Sequence, residues 1–167
     1  MLTCISLNMV SLSAWGQMDT LKEIRVQARN VQFIYNSMTK FQHGYELTEF
    51  SKIFLRFNVK GSAGWELQVK SGNTEIASDN GDPGIPLDSL QITVKNLTYT
   101  NAPAVPTINS GFLLSTAGDV LVSGTGGSGH LDVVTVEFDL SYNLSSMMNR
   151  PEGLYYTELW FLLVETN

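Results

Sequence analysis

Apolar and polar positions alternate two by two along most of this chain, and no helical period of comparable strength interrupts them. The sharpest stretch sets Ile53, Leu55, Phe57 and Val59 against Phe54, Arg56, Asn58 and Lys60. After Gly61-Ser62-Ala63-Gly64 the pattern resumes, with Trp65, Leu67 and Val69 against Glu66, Gln68 and Lys70. Successive side chains of a strand point to opposite faces, so each run predicts a half-buried strand. Two such runs around a short glycine-containing loop predict a β-hairpin. Its inward face would hold Leu55, Phe57, Val59, Trp65, Leu67 and Val69. The same pattern appears at Ile24, Val26 and Ala28, and continues past a slip near Asn30-Val31 into Phe33 and Tyr35. It recurs at Leu90, Ile92 and Val94, and again at Val134, Val136, Phe138, Leu140 and Tyr142.

The longest run closes the chain. From Leu154 to Val164 one side reads Tyr155, Thr157, Leu159, Phe161, Leu163 and the other Tyr156, Glu158, Trp160, Leu162, Val164. Both sides turn apolar toward the end, which predicts a strand buried on two faces. At ~3.3 Å per residue it would span about 35 Å, the length of a sandwich.

Between these runs lie turn-forming stretches. Residues 36–50 read as a connecting loop, as do residues 71–84, with a short strand near Thr74–Ala77, and residues 101–110. Gly111–Val122 reads as a weaker strand pair. Gly124-Thr-Gly-Gly-Ser-Gly-His130 is a glycine-rich inter-strand loop. It lacks the Lys-Ser/Thr and the following helix that a phosphate cradle needs. The sum is an all-β sandwich of about seven to nine strands, formed as a single domain over residues 17–167.

Composition narrows the function classes. Of 167 residues, 16% are charged, and the net charge is −6. No Lys/Arg cluster offsets the phosphate repulsion a nucleic-acid partner would bring. One cysteine, Cys4, allows no internal disulfide, and two histidines far apart in sequence, His43 and His130, supply too few ligands for a Cys/His metal site. No segment reaches the ~18 apolar residues of a membrane span. Residues 1–16, apolar and uncharged up to Ser13-Ala14-Trp15-Gly16, read as the core and cleavage region of a secretory signal peptide; an ordinary first strand is the alternative.

The Trp65 hairpin, the strand Val134–Tyr142 and the ending Pro151-x-Gly153-x-Tyr155-x-x-x-Leu159-x-Phe161-x-Leu163 occur in an order that resembles bacterial chaperone–usher pilins and the related spore-coat-U-like secreted domains. The resemblance implies an immunoglobulin-like antiparallel β-sandwich, secreted through a periplasm to the cell surface. It implies a fimbria- or coat-like subunit for adhesion or structure, with other pilus-type subunits and a periplasmic chaperone as partners. Gly153, Tyr155, Leu159, Phe161 and Leu163 would form the assembly strand. Unlike most such subunits, this chain has no cysteine pair, and Met18–Glu23 is a short, poorly patterned stretch where a donor strand would be expected. A self-complete sandwich, in which Ile24–Tyr35 fills the fold in cis, fits equally well. A second resemblance lies in Trp65-Glu-Leu67 and Trp160-Phe-Leu162, each a Trp-x-Leu as in wall-binding WxL domains.

That second likeness implies a non-catalytic module for a cell-wall or surface glycan. Tyr156, Trp160 and Leu162 are the candidate contact surface, whereas periodicity assigns Trp65 to the core. Asp79, Asn80, Gly81, Asp82 and Asp88 lack the spacing and closing Glu of a calcium loop and read as turn chemistry. No Gly-x-Ser-x-Gly elbow or catalytic constellation stands out, so no enzyme activity and no cofactor are expected.

Overall fold

A computed structural model of the chain describes residues 3–11, 22–28, 31–35, 37–58, 63–109, 111–125, 133–147, 150 and 153–166. Within them the chain forms thirteen strands. They are β1 (Thr3–Ser11), β2 (Lys22–Gln27), β3 (Val31–Tyr35), β4 (Tyr45–Phe57), β5 (Gly64–Ser71), β6 (Glu75–Ser78), β7 (Ile85–Pro86), β8 (Leu90–Thr100), β9 (Thr107–Ile108), β10 (Phe112–Leu113), β11 (Asp119–Thr125), β12 (Val134–Leu144) and β13 (Leu154–Thr166). A front sheet runs in the order β3-β1-β13-β5-β11-β9, with β6 also on β13 and β7 on β6. A back sheet runs β10-β8-β12-β4-β2.

The predicted all-β sandwich is therefore present. Its frame is immunoglobulin-like: β2, β4, β8 and β12 take the A, B, D and E positions of the back sheet, and β5 and β13 take C and F in front. The short strands β6, β7, β9 and β10 and the longer β11 bring the count above the seven to nine of the frame. The position beside F, which a following hairpin strand would fill antiparallel, is occupied by β1. Among the described residues the β1–β13 ladder is the parallel one, and the others are antiparallel.

The inward rows interlock as alternation requires. Ile53, Leu55 and Phe57 of β4 and Val134, Val136, Phe138 and Leu140 of β12 are wholly buried, as are Leu67 and Val69 of β5. Two phenols close the core at its polar fringe. Tyr142 donates to Ser51 Oγ at 3.0 Å. Tyr35 reaches the carbonyls of Leu144 and Ser145 at 3.3 and 3.1 Å. Burial raises both phenols well above the ordinary tyrosine range, so they act as neutral donors.

Four local expectations are corrected. The Trp65 hairpin does not exist, because β4 lies in the back sheet and β5 in the front sheet. Their apolar rows face each other across the core, where the rings of Phe57 and Trp65 meet at 4.9 Å between centroids. Alternation fixes which side chains point inward, but it looks the same for a ladder neighbour and for a neighbour across the sandwich. Val59, expected on that face, lies outside the described residues. The slip near Asn30-Val31 is likewise a change of sheet: β2 pairs with β4, whereas β3 pairs with β1. Residues 36–50 are not simply a loop. They hold the helix α1 (Met38–His43), whose N-cap Ser37 accepts from the Lys40 N–H, and then the first half of β4. Gly44 ends the helix at φ +83°, and a Cβ there would sit 2.4 Å from the Leu144 carbonyl oxygen. Only glycine fits. The expected pair within Gly111–Val122 also resolves differently, with β10 on β8 and β11 on β5 and β9.

Candidate strand-addition site and the outer face of the last strand

The last strand is long because it serves three neighbours. One edge of β13 carries β1 from Leu154 to Phe161. The other edge carries β6 at Tyr155 and Tyr156, then β5 from Leu159 to Thr166. Of the residues predicted for this strand, Tyr155, Leu159 and Phe161 are buried in the core and Leu163 is half-buried. Thr157 sits in the same row and forms a wholly buried hydroxyl pair with Ser71 at 2.8 Å. Burial, aided by the carboxylates of Asp82 and Asp79 and opposed by Arg150, raises the Tyr155 phenol above its ordinary value.

Pro151 and Glu152 lie outside the described residues, but Gly153, Leu154 and Tyr155 are visible. Asp79 grips the start of β13 twice: its N–H donates to the Leu154 carbonyl at 2.9 Å, and its Oδ1 accepts from the Leu154 N–H at 2.9 Å. Gly153 belongs there because a Cβ would come within 3.0 Å of Asn80 Nδ2 and 3.2 Å of Asp79 Oδ1. The turn residues Asp79 and Asn80 therefore fasten the strand entrance; among the described residues no group of His, Cys, Asp and Glu is arranged to hold a metal ion. Asp79→Ala removes one acceptor at an exposed site and is expected to cost ~1 kcal/mol, read as a lower denaturant midpoint with an unchanged slope.

The outer row corrects the expectation of a strand buried on both faces. Tyr156 is 39% and Leu162 43% exposed. Trp160 is half-buried, its indole N–H donating to Glu158 Oε2 at 3.3 Å and the Lys70 ammonium standing 5.4 Å from its ring centroid. Gly72 leaves room for that indole, since a Cβ there would lie 2.9 Å from Nε1. Lys70, Gln68 and Glu66 of β5 stand opposite Trp160, Leu162 and Val164. Long polar side chains with apolar stems flank this row where a third layer would otherwise be needed.

The other side of β13 is the informative one. Beyond β1 lies β3, so β1 fills a slot between two strands that do not pair with each other. Its register sets Ile5 opposite Tyr155 and Phe33, Leu7 opposite Thr157 and Val31, and Met9 opposite Leu159. The slot walls, Tyr155, Leu159 and Phe161 on one side and Val31, Phe33 and Tyr35 on the other, are all buried. Sequence reasoning found the first wall and missed the second. The alternation of Val31, Phe33 and Tyr35 was visible, but the sheet change after β2 was not. The filler comes from the stretch read as a signal peptide, whose residues 3–11 are a strand here; residues 12–16 lie outside the described residues.

No protein-family model matches the chain, and no curated protein matches its sequence. The pilin-like and WxL-like resemblances thus rest on the residues quoted above. Among the described residues no helix is long and apolar enough to cross a membrane.

Proposed function

We propose that this domain is a secreted or cell-surface structural subunit that assembles by strand addition in the slot between β13 and β3. The observation that carries this reading is the filling of that slot by β1. It comes from residues far from β13 in sequence, runs parallel where a hairpin partner would run antiparallel, and is separated from β2 by residues 12–21. A strand held on both edges by main-chain hydrogen bonds, with alternate positions over an apolar floor, can be replaced by a strand of similar pattern from another chain. Ten intervening residues extend to ~35 Å, enough for β1 to leave its own slot and enter that of a neighbour. The partners on this reading are other subunits of the same surface assembly, or a periplasmic chaperone that offers a strand in transit.

The test is strand capture. The full chain, kept reduced, is incubated with a labelled peptide of residues 3–11 and followed by size-exclusion chromatography. Uptake of peptide into the folded protein, competed by unlabelled peptide and not by a scrambled one, is the expected result. A chain that stays monomeric at high concentration and takes up no peptide overturns the proposal.

A further inference from the structure

The loop from β6 to β7 carries Asn80-Gly81 at its tip, and this dipeptide has a chemistry of its own. We propose that Asn80 is a site of spontaneous deamidation that rewrites the entrance of β13. The Gly81 backbone nitrogen, on losing its proton to solvent, attacks the Asn80 side-chain amide carbon. A C–N bond forms, ammonia departs with the proton, and a five-membered succinimide remains. Water then opens the ring at either carbonyl, leaving aspartate or isoaspartate. The net change is amide plus water to acid plus ammonia, with no oxidant or reductant.

The local structure favours the attack here over other asparagines. Gly81 carries no side chain to crowd the closing ring, and its φ of +75° is one that glycine adopts freely. Asn80 is exposed in a turn, outside any ladder. Asn96 and Asn101 are also exposed, but Leu97 and Ala102 follow them, and a side chain on the attacking residue crowds the ring that must close.

The consequence follows from position. Asn80 Nδ2 lies against Gly153, and its neighbour Asp79 makes the double contact with Leu154. Aspartate adds a negative charge beside Asp79 and Asp82. Isoaspartate routes the main chain through the former side chain and lengthens it by one atom, next to a contact that needs both Asp79 groups in register. This inference does not rest on the assembly reading.

The test is peptide mapping by mass spectrometry of the folded chain aged in mildly alkaline buffer. The Asn80 peptide is expected to split into aspartate and isoaspartate forms an order of magnitude faster than the peptides of Asn73, Asn96 and Asn101, and to accept label from an isoaspartate methyltransferase. Asn80→Gln should abolish the products. Asn80→Asp separates charge from chain lengthening, and the aged isoaspartate fraction should melt below it. An Asn80 amide that persists in the folded chain as long as the other three, even if it reacts once the chain is unfolded in urea, overturns the proposal. So does an isoaspartate fraction that melts with Asn80→Asp.

Discussion

A chain lacking residues 1–11 is expected to melt well below the full chain and to aggregate, or to stay folded only by borrowing a strand. Removal of β1 strips eight register positions from β13 and five from β3. It also opens a gap of about two strand spacings, ~10 Å, over an apolar floor. The walls hold six buried apolar or aromatic side chains, Tyr155, Leu159, Phe161, Val31, Phe33 and Tyr35. Full burial of one such group contributes ~1.5–3 kcal/mol, so uncovering about a third of each loses roughly 3–6 kcal/mol. A domain of this kind holds only ~5–15 kcal/mol in total. Two open edges facing each other across that gap also invite association. The measurements are melting and light scattering of the truncated chain with and without added peptide of residues 3–11. Expected are a lowered transition with aggregation or dimerisation without peptide, and recovery of the full chain's transition with it. A truncated chain that is monomeric and melts with the full chain would show that β1 is not integral to the sheet, and the strand-addition proposal would go with it.

The same segment shows where reading from sequence stops. Ile5, Leu7 and Met9 alternate with Ser6 and Asn8, as a strand requires, yet a short apolar uncharged run also suits a signal peptide. Both descriptions follow from one property, the absence of charge. The strand forms by pairing with Tyr155 and Phe33, residues that are distant in the chain. Alternation was a faithful guide to burial in β4, β5 and β12, whose inward rows fall where period two put them. It was silent on partners. Ile53–Phe57 and Trp65–Val69 were legible as strands, but a ladder and a facing pair give one signature. The Pro-x-Gly-x-Tyr lead-in drew attention to Gly153, but the reason Gly153 is glycine lies in Asp79 and Asn80, about seventy residues earlier. The two apolar faces of β13 could not be ranked from sequence. The inner row owes its burial to the back sheet, whereas the outer row is flanked by Lys70, Gln68 and Glu66, which are polar in any sequence scale.

Replacing Trp65 by alanine is expected to cost ~3–5 kcal/mol, while the same change at Trp160 should cost well under half of that. Trp65 is 1% exposed and is the largest fully buried side chain described. Its ring packs on Phe57, its indole N–H donates to the Thr125 carbonyl at 3.2 Å, and the backbone of Gly124 presses so close that a Cβ there would lie 2.8 Å from the ring. Truncation therefore leaves a cavity between the sheets, and neither β5 nor β11 can collapse into it without breaking its own ladder. Trp160 rests on the outer face, with a partly wet ring beside Lys70 and a hydrogen bond to an accessible carboxylate, so water replaces most of what is lost. Denaturant midpoints of the two variants check the contrast. It also makes Trp160→Ala a clean probe of the outer face: the variant stays folded, so a loss of retention on peptidoglycan or polysaccharide would identify a glycan contact there. Strand capture in the β13–β3 slot, on the opposite edge of the strand from β5, should remain as in the unmodified chain. If Trp65→Ala melts with the unmodified chain, the rings do not meet across the core, and the assignment of β4 and β5 to opposite sheets fails with them.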